Sequence, residues 1–547
     1  MKNYYYLLTF LGLSGVASAQ GITFTSQNFG GNASICCGVD MNGDGLDDIV
    51  TVNAPNITIY KQKADGGFEA QSYTVTGLTT NPGWSIAAGD YDANGYNDLV
   101  LGSQSRCALV KANADGSVYS QLVNGGNPNP NWNNFNRNIF TQRTNFIDIN
   151  NDGNLDLFAC HDVDQSHVYR NDGAGNMIFD IPMFPTLDVG GNYASVWIDY
   201  DNDGDMDMYE AKCRGGAPEG DLQRINLLYT NNGDGTFTED AAAKGINDGA
   251  QSWSTAWADF DNDGDFDCLL SNISDENRLY LNNGDGTFTD IYATTGIEST
   301  VGSWELQAAD FNNDGWVDFL WQNNKQLWMN NGNMTFTGYN LGFSEGAIGD
   351  YNNDGFLDVQ SGSKVWYNSG NPNKWLTVKL QGTVSNRNGI GARLELYGPW
   401  GKQIREIRSG EGFSHMSTLN AHFGIGTASS IEKLVIKWPS GTVDVIMNPS
   451  SNQSLTVIEG SAPLKVEEMS NTDFSIFPNP AAEVINLRFS QSVDITSAQI
   501  IDLSGRVVFN TPVVNQTVDV KSLAIGPYVL KLQSADGKQF TQKFIKK

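Results

Sequence analysis

The stretch Asp199-Tyr200-Asp201-Asn202-Asp203-Gly204-Asp205-Met206-Asp207 carries carboxylates at its positions 1, 3, 5 and 9 and glycine at position 6. Oxygen donors at that spacing wrap around one hard cation, and the glycine permits the tight reversal that turns them inward. Nearly the same nine residues return at 259–267, and looser versions begin at Asp40, Asp90, Asp148, Asp310 and Asp350. The seven starts are 50, 58, 51, 60, 51 and 40 residues apart. A unit that recurs at this period is one supersecondary module, unable to bury its own faces and stable only when stacked on its neighbours.

The runs around each loop are short and apolar, such as Ser195-Val196-Trp197-Ile198 before one and Asp318-Phe319-Leu320-Trp321 after another. Four or five apolar residues bounded by Gly, Asn and Asp read as strands. Each unit adds a strand ending in an Asn-Asn-Gly type turn, Leu228-Tyr229-Thr230-Asn231-Asn232-Gly233 for example, and a strand such as Thr236-Phe237-Thr238. Four short strands per unit predict the blades of a β-propeller; an open β-solenoid is the alternative. The last unit lacks its Thr-Phe-Thr strand, while Ile22-Thr23-Phe24-Thr25 has that pattern with no loop before it. The first strand is therefore expected to complete the last blade, closing seven blades across residues 20–370.

An EF-hand loop begins with similar spacing, but it needs flanking helices and a bidentate Glu at position 12. Position 12 here is Thr51, Leu101, Ala159, Glu210, Leu270, Trp321 and Ser361, and the flanks are strands. The position-9 carboxylate must close the coordination sphere instead. The expected ligands are Asp40, Asn42, Asp44 and Asp48; Asp90, Asp92, Asn94 and Asp98; Asp148, Asn150, Asp152 and Asp156; Asp199, Asp201, Asp203 and Asp207; Asp259, Asp261, Asp263 and Asp267; Asp310, Asn312, Asp314 and Asp318; and Asp350, Asn352, Asp354 and Asp358. Six or more oxygens in a flexible loop favour Ca²⁺ over Mg²⁺, so up to seven Ca²⁺ are expected. The loops at Asp199 and Asp259 alone have four carboxylates each, and are expected to bind tightest.

The chain has 547 residues and a formal net charge of −29, which makes nucleic acid and anionic membranes poor partners. Residues 1–19 read as a signal peptide: Lys2, an apolar run from Tyr4 to Leu13, and the small-residue site Ala17-Ser18-Ala19. The apolar run is shorter than the roughly 20 residues a membrane span requires, and no transmembrane segment is expected elsewhere. Six cysteines (Cys36, Cys37, Cys107, Cys160, Cys213, Cys268) lie in the exported part, where either disulfides or buried thiols are compatible with the sequence.

The seven loops with their Asn-Asn-Gly-Asp-Gly-Thr-Phe turns resemble the FG-GAP/VCBS repeats of integrin α-like propellers. The resemblance implies structural metal loops and recognition or adhesion more often than catalysis. Residues 371–460 form a second all-β unit. Its stretches Ser385-Asn386-Arg387-Asn388-Gly389-Ile390-Gly391-Ala392-Arg393, His422-Phe423-Gly424-Ile425-Gly426 and Trp438-Pro439-Ser440-Gly441 resemble the ASPIC/UnbV domain of cartilage acidic protein-like chains. Arg387, Arg393, His415 and His422 either line a polar site there or satisfy turns. A linker is expected at 461–473. From 474 to 547, Phe477-Pro478-Asn479-Pro480, Asp502-Leu503-Ser504-Gly505-Arg506 and Gly526-Pro527-Tyr528-Val529-Leu530 resemble the C-terminal sorting domain of type IX secretion. That resemblance implies the type IX secretion machinery as a partner and a secreted or cell-surface product. The expected fold class is all-β: a seven-bladed propeller followed by two smaller β-sandwich-like domains.

Cys160-His161 with Asp162, Asp164 and His167 has the composition of a metal site, but it falls on the strand after a loop, where structure accounts for it equally well. No Gly-x-Ser-x-Gly elbow or zinc-protease helix is present in the sequence. The carboxylates are committed to the loops, which makes glycosidase pairs unsafe to count. The expected function is calcium-dependent, non-catalytic recognition of a glycan or an extracellular protein; a polysaccharide-degrading enzyme on a propeller scaffold is the alternative. The insertions 124–138 and 212–224, carrying Trp132, Phe135, Arg137, Arg214 and Arg224, are the candidate contact loops.

Overall fold

The computed structural model describes residues 16–19, 21–122, 139–179, 189–273, 275–298, 302–322, 325–462, 474–489, 493, 495–501, 507–511, 513, 516–524, 526–534 and 539–547. Most of the predicted signal peptide, the insertion 124–138, residues 463–473 of the linker and residues 502–506 lie outside the described residues.

Seven four-stranded antiparallel sheets form a seven-bladed propeller. The inner strands are Cys37–Val39, Ser85–Gly89, Thr141–Ile147, Asn192–Ile198, Ser252–Ala258, Leu306–Ala309 and Ala347–Gly349. They line a central channel, with Ala347–Gly349 lying against Cys37–Val39 so that the circle closes. Inner and second strands are buried on both faces, as in Ser85–Gly89 and Asp98–Gly102. This is why they read as unbroken apolar runs, whereas the outer strand Phe68–Thr74 is mostly exposed and polar.

The closure expected from the sequence is present. Ile22–Ala33 pairs antiparallel with Asp358–Asn368, placing Phe24 opposite Asn368. Phe237 stands opposite Asn231 in the same way in the fourth blade. Asp358–Asn368 is folded back on itself: the Asn368 N–H donates to Asp358 Oδ1 at 2.8 Å, whereas ten residues of extended strand would separate them by about 33 Å. Val16–Ala19 pairs along the outer edge of Ile22–Ala33, so cleavage after Ala19 would remove an edge strand and leave the closing strand in place.

Neighbouring blades are stitched together by the Asn that opens the turn after the third strand, at Asn171, Asn282, Asn330 and Asn368. Asn330 Nδ2 donates to the Phe260 carbonyl of the preceding blade at 2.8 Å and to the Val317 carbonyl of its own at 3.2 Å. Its Oδ1 accepts the Gly332 N–H at 2.9 Å. Asn171, Asn282 and Asn368 reach back to Tyr91, Tyr200 and Phe311 in the same way. Removing one such amide leaves buried carbonyls short of a donor, at about 1–3 kcal/mol. Asn330→Ala is therefore expected to lower the unfolding free energy by about that amount, measured by denaturant titration. Asn331→Ala, one residue further on and exposed, should leave it within about 0.5 kcal/mol.

The second domain pairs a three-stranded sheet (Ala421–Gly426, Lys374–Gln381, Gln453–Ile458) with a four-stranded one (Gly401–Glu406, Arg393–Gly398, Lys433–Lys437, Val443–Met447). Its core is continuous with the propeller: one apolar cluster joins Val100, Phe146 and Met206 of the blades to Ile390, Leu394 and Trp438. The propeller and the second domain accordingly form one compact unit, up to Pro463. Within this domain, the Glu459 carboxylate accepts the N–H groups of Thr383, Val384 and Ser385 and the hydroxyl of Ser385. Ser440 also donates its hydroxyl to it. Burial opposes the charge, but these donors outweigh it and bring the Glu459 pKa down to about 2. A carboxyl whose folded pKa lies below its unfolded value stabilises the fold above pH ~4 and loses that contribution as pH falls toward 2. Glu459→Gln is expected to destabilise the domain at pH 7 and to flatten the acid limb of stability between pH 4 and 2. An unchanged acid limb would contradict the assignment.

The C-terminal unit has its own core, from Phe474 and Leu487 to Leu530 and Phe544. It is built on the sheets Phe474–Phe477, Val484–Phe489, Thr517–Asp519 and Val507–Thr511, Ile495–Ile501, Gly526–Ser534, Gln539–Lys546. Both small domains are β-sandwich-like, and the fold is the all-β architecture expected. All six cysteines are buried, and no disulfide joins them among the described residues.

Candidate functional site

Each nine-residue loop joins an inner strand to the second strand of its blade, so all seven lie at one end of the channel. Every loop wraps around its position-1 Asp. The position-6 glycine donates to the Oδ2 of that Asp throughout, from Gly45 to Asp40 at 2.6 Å to Gly204 to Asp199 at 3.2 Å. These glycines have φ between 82° and 100°, the left-handed region that favours glycine. Position 4 is also left-handed in all seven, at Gly43, Ala93, Asn151, Asn202, Asn262, Asn313 and Asn353. Gly or Asn fills this position in six loops, a signal of its left-handed backbone that the sequence itself carries.

Position 9 does more than close a metal shell. In every loop its Oδ2 accepts the N–H of position 2, and its Oδ1 accepts an N–H at the end of the third strand of the blade. For Asp318 the donors are Phe311 at 3.0 Å and Asn330 at 2.8 Å. For Asp48 they are Met41 at 3.0 Å and Gln62 at 2.9 Å. These carboxylates are fully buried, and burial pushes Asp48 up to about 8 and Asp156 up to about 7, with Asp98, Asp207, Asp267, Asp318 and Asp358 raised well above the ordinary range. The same cause raises Asp259 and Asp310 to about 7.

The loops differ at position 3. Where Asn stands there, its amide donates to the position-5 carboxylate: Asn42 to Asp44, Asn150 to Asp152, Asn312 to Asp314 and Asn352 to Asp354, at 2.9–3.0 Å. Where Asp stands there, no such donor exists. The carboxylate oxygens of Asp90, Asp92 and Asp98, of Asp199, Asp201 and Asp203, and of Asp259, Asp261 and Asp263 then converge to within 4.8 Å of one another. Five buried acceptors in the loops have no partner among the described residues: Asp92 Oδ1, Asn150 Oδ1, Asp199 Oδ1, Asp201 Oδ1 and Asn262 Oδ1. An all-oxygen donor set with buried, unpaired acceptors fits a hard cation. His161 and His167 instead pack edge to face at 5.5 Å, with Nδ1 of His161 accepting the Val163 N–H and that of His167 bonded to the Tyr169 hydroxyl. They join no three-residue metal cluster among the described residues.

The second domain sits on this end of the propeller and touches all seven loops. Lys379 Nζ meets the Gly45 carbonyl. Asp90 N–H donates to Asn388 at 2.7 Å, and Asp199 N–H to Glu406 at 3.3 Å. Arg393 donates to the Gly264 carbonyl at 2.6 Å, and Gly426 N–H to the Asn313 carbonyl at 2.8 Å. Gly153 abuts the Val384 carbonyl and Gly355 the Trp375 ring, with no room for a Cβ at either. His422 Nε2 lies 2.6 Å from Asn313 Oδ1; burial, and then Arg405, bring its pKa down to about 3. Arg393 and His422 thus face the loop ring, and Arg387 lines a cavity with Asp40 and Asp90 of the first two loops.

From this base the segment between Gly401–Glu406 and Ala421–Gly426 threads into the channel as a plug. Arg408 donates to the Trp257 carbonyl at 3.1 Å, and Asn145 to the Ser409 and Gly410 carbonyls at 3.0 Å each. Glu305 accepts the N–H of Phe413 at 2.9 Å and of Ser414 at 2.7 Å. Ile86 N–H donates to Ser414 at 3.1 Å, Met416 pairs with Cys36 and Gly38, and Thr418 N–H reaches the Ile348 carbonyl at 2.9 Å. Tyr193 stacks on Phe413 at 5.8 Å, so every blade contributes. His415 lies fully inside the plug: its Nδ1 accepts the Cys36 N–H at 2.9 Å and its carbonyl accepts from Arg143. Burial opposes its charge, but Cys36, Glu345 and Glu305 outweigh it and hold the pKa well above the ordinary histidine value.

Residues 40–101, 148–210, 217–270 and 259–321 match the FG-GAP-like repeat, 382–464 match ASPIC and UnbV, and 475–547 match the secretion system C-terminal sorting domain. The chain is an FG-GAP-repeat propeller carrying an ASPIC/UnbV domain and a type IX sorting domain. The seventh loop lies outside the matched repeats, yet it has the same geometry, with Gly355 on Asp350 at 2.9 Å and Tyr351 on Asp358 at 3.0 Å. The chain is 29% identical to cartilage acidic protein 1 of Mus musculus over 282 residues, covering 45% of this chain and 43% of that one. It is 30% identical to the Homo sapiens protein of that name over 270 residues, covering 43% and 40%. The FG-GAP chain therefore spans about two fifths of the length of these curated relatives. Among solved structures, an Agrocybe aegerita lectin that recognises non-reducing terminal N-acetylglucosamine superposes with a TM-score of 0.39 at 18% identity, over 60% of this chain and 88% of that one. The sorting domain marks the FG-GAP chain for type IX secretion, to the cell surface or extracellular space. Among the described residues no helix is long and apolar enough to cross a membrane.

Proposed function

We propose that this secreted chain is a calcium-stiffened, non-catalytic recognition protein for a glycan or an extracellular protein. The observation that supports this most is the docking of the second domain on all seven loops with its plug in the channel. That arrangement commits the acidic loops to holding domains together and leaves the far end of the ring to meet a ligand. Calcium would be held by the loop carboxylates, foremost Asp199, Asp201 and Asp203 and Asp259, Asp261 and Asp263. There it supplies the positive charge that these convergent oxygens lack. The metal loops then act as rivets of a rigid scaffold, and rigidity lowers the ordering cost of binding.

The test is an array of extracellular glycans and proteins probed with the full chain, with and without chelator, beside a reducing-end assay on every glycan bound. Binding that weakens in chelator and releases no new reducing ends is expected. New reducing ends would contradict the non-catalytic reading and favour a polysaccharide-degrading enzyme.

A further inference from the structure

Five successive blades start their inner strand with an aromatic residue: Trp84, Phe140, Tyr193, Trp253 and Trp304. Trp84, Tyr193, Trp253 and Trp304 each stand six residues before the first Asp of their loop, so the repeat brings them to one level of the channel. This level is the end remote from the loops and from the second domain. Phe413, at the tip of the plug, forms its floor, with ring centroids 6.1 Å from Trp84 and 5.8 Å from both Tyr193 and Trp304. Trp253 stacks on Trp304 at 3.7 Å and 9°, and Trp84 lies 5.8 Å from Trp304 and 6.5 Å from Phe140.

Buried aromatic pairs elsewhere take both arrangements, edge to face as in Phe24–Phe343 at 75° and Phe260–Phe336 at 85°, and stacked as in Tyr91–Phe146 at 4° and Phe319–Trp328 at 14°. At the mouth, apart from Trp84 on Phe413, the interplanar angles run only from 9° to 40°. The five rim rings are half-buried. Together they make an aromatic cluster at the mouth, with Trp253 lying face to face on Trp304 and Trp84 tilted against Trp304. Two polar atoms beside it are shut from solvent and have no partner: Trp84 Nε1 and Thr141 Oγ1. Trp84 and Thr141 both hang on one turn, through their backbone N–H groups to the Gly102 and Ser103 carbonyls. On the Tyr193 side, Arg214 donates to Asp162 Oδ1 at 3.2 Å, and the Asp162 carbonyl accepts the Gly191 N–H at 2.6 Å.

An aromatic surface edged by the partly exposed Arg214–Asp162 ion pair calls for a ligand with one apolar face and a rim of hydroxyls. The formal charge of −29 disfavours polyanions. We infer that this mouth is a binding site for neutral polysaccharide, with a pyranose ring stacked on the open face of the Trp84, Trp304 and Trp253 cluster and its hydroxyls hydrogen-bonded to the partly exposed Arg214–Asp162 pair. This assignment rests on the recognition reading above and gives it a place and a ligand class.

The experiment is affinity electrophoresis of the full chain in gels containing laminarin, xylan, soluble agar galactan or alginate. Trp253→Ala, Trp304→Ala, Trp304→Phe and Asn331→Ala are run beside the parent, and their melting curves show that they fold. Retardation by at least one neutral polymer is expected, weakened about tenfold by either alanine change, the loss of one aromatic stacking contact. Trp304→Phe should lose less, and Asn331→Ala nothing. Neutral-polymer binding that survives both alanine changes would overturn the mouth site while leaving the recognition reading standing. Retardation by alginate alone would overturn the ligand class. Capture of an extracellular protein with no retardation by any polymer would overturn the saccharide assignment and keep recognition.

Discussion

Calcium at 10 mM is expected to raise the unfolding midpoint of the full chain by about 5–10 °C over the same protein in chelator. At the affinities of extracellular sites, about 10⁻⁴–10⁻³ M, each occupied loop gains about 1.4–2.7 kcal/mol. The loops at Asp199 and Asp259 alone then contribute about 3–5 kcal/mol, and a large domain shifts by a few degrees at most per kcal/mol. The structural reason is specific to these loops. With Asp at positions 3 and 5, no amide screens their carboxylates, and two oxygens of the Asp199 loop are buried without a partner. Asp201→Asn and Asp261→Asn each install the side chain that four sister loops carry, so both variants should fold. Each is expected to remove a substantial part of the calcium shift while changing the chelated midpoint little. Identical midpoints with and without calcium would remove the metal from the account.

The second large effect is expected at Gly412. Its φ is 65°, and an added Cβ would overlap the Glu305 carboxylate and come within 2.5 Å of the Leu306 carbonyl. A β-branched side chain there meets backbone strain of about 1–2 kcal/mol and overpacking of about 1–3 kcal/mol. It also displaces the acceptor of the Phe413 and Ser414 N–H groups. Gly412→Val should therefore cost about 2–5 kcal/mol and split the melting of propeller and second domain. Gly441→Val is the control: its φ is 81°, but nothing lies within 4 Å of its Cβ, so only the backbone strain applies. Equal losses in the two variants would contradict a tightly seated plug.

The propeller was legible because its signals are local and repeat. Seven Asp-rich loops at a regular period, short apolar runs and an unpaired first strand were enough to predict blade number and closure. The register of Phe24 against Asn368 confirms that inference. The role of Asn330 and its equivalents was only half legible. The Asn-Asn-Gly turn was recognised as a turn, but the first Asn reaches a carbonyl about 70 residues earlier in the chain, and no local pattern carries that partner. The plug was not legible at all. Residues 407–420 have the Gly, Ser and Arg content of a surface loop; what buries them is a channel assembled from segments hundreds of residues away. His415 and Arg143 meet across 272 positions. The aromatic mouth lies between these cases: the six-residue offset from each loop is printed in the sequence, but it gains meaning only once the blades form a ring.

The central claim is that the second domain holds the propeller by seating 407–420 in its channel. Hydrogen exchange of that segment in the full chain tests it directly. The N–H groups of Phe413, Ser414, Met416 and Thr418 are all bonded to propeller atoms, so they should exchange as slowly as the inner strands they touch. Exchange within seconds, at the rate of an exposed loop, would show that the channel is not filled and would contradict the account.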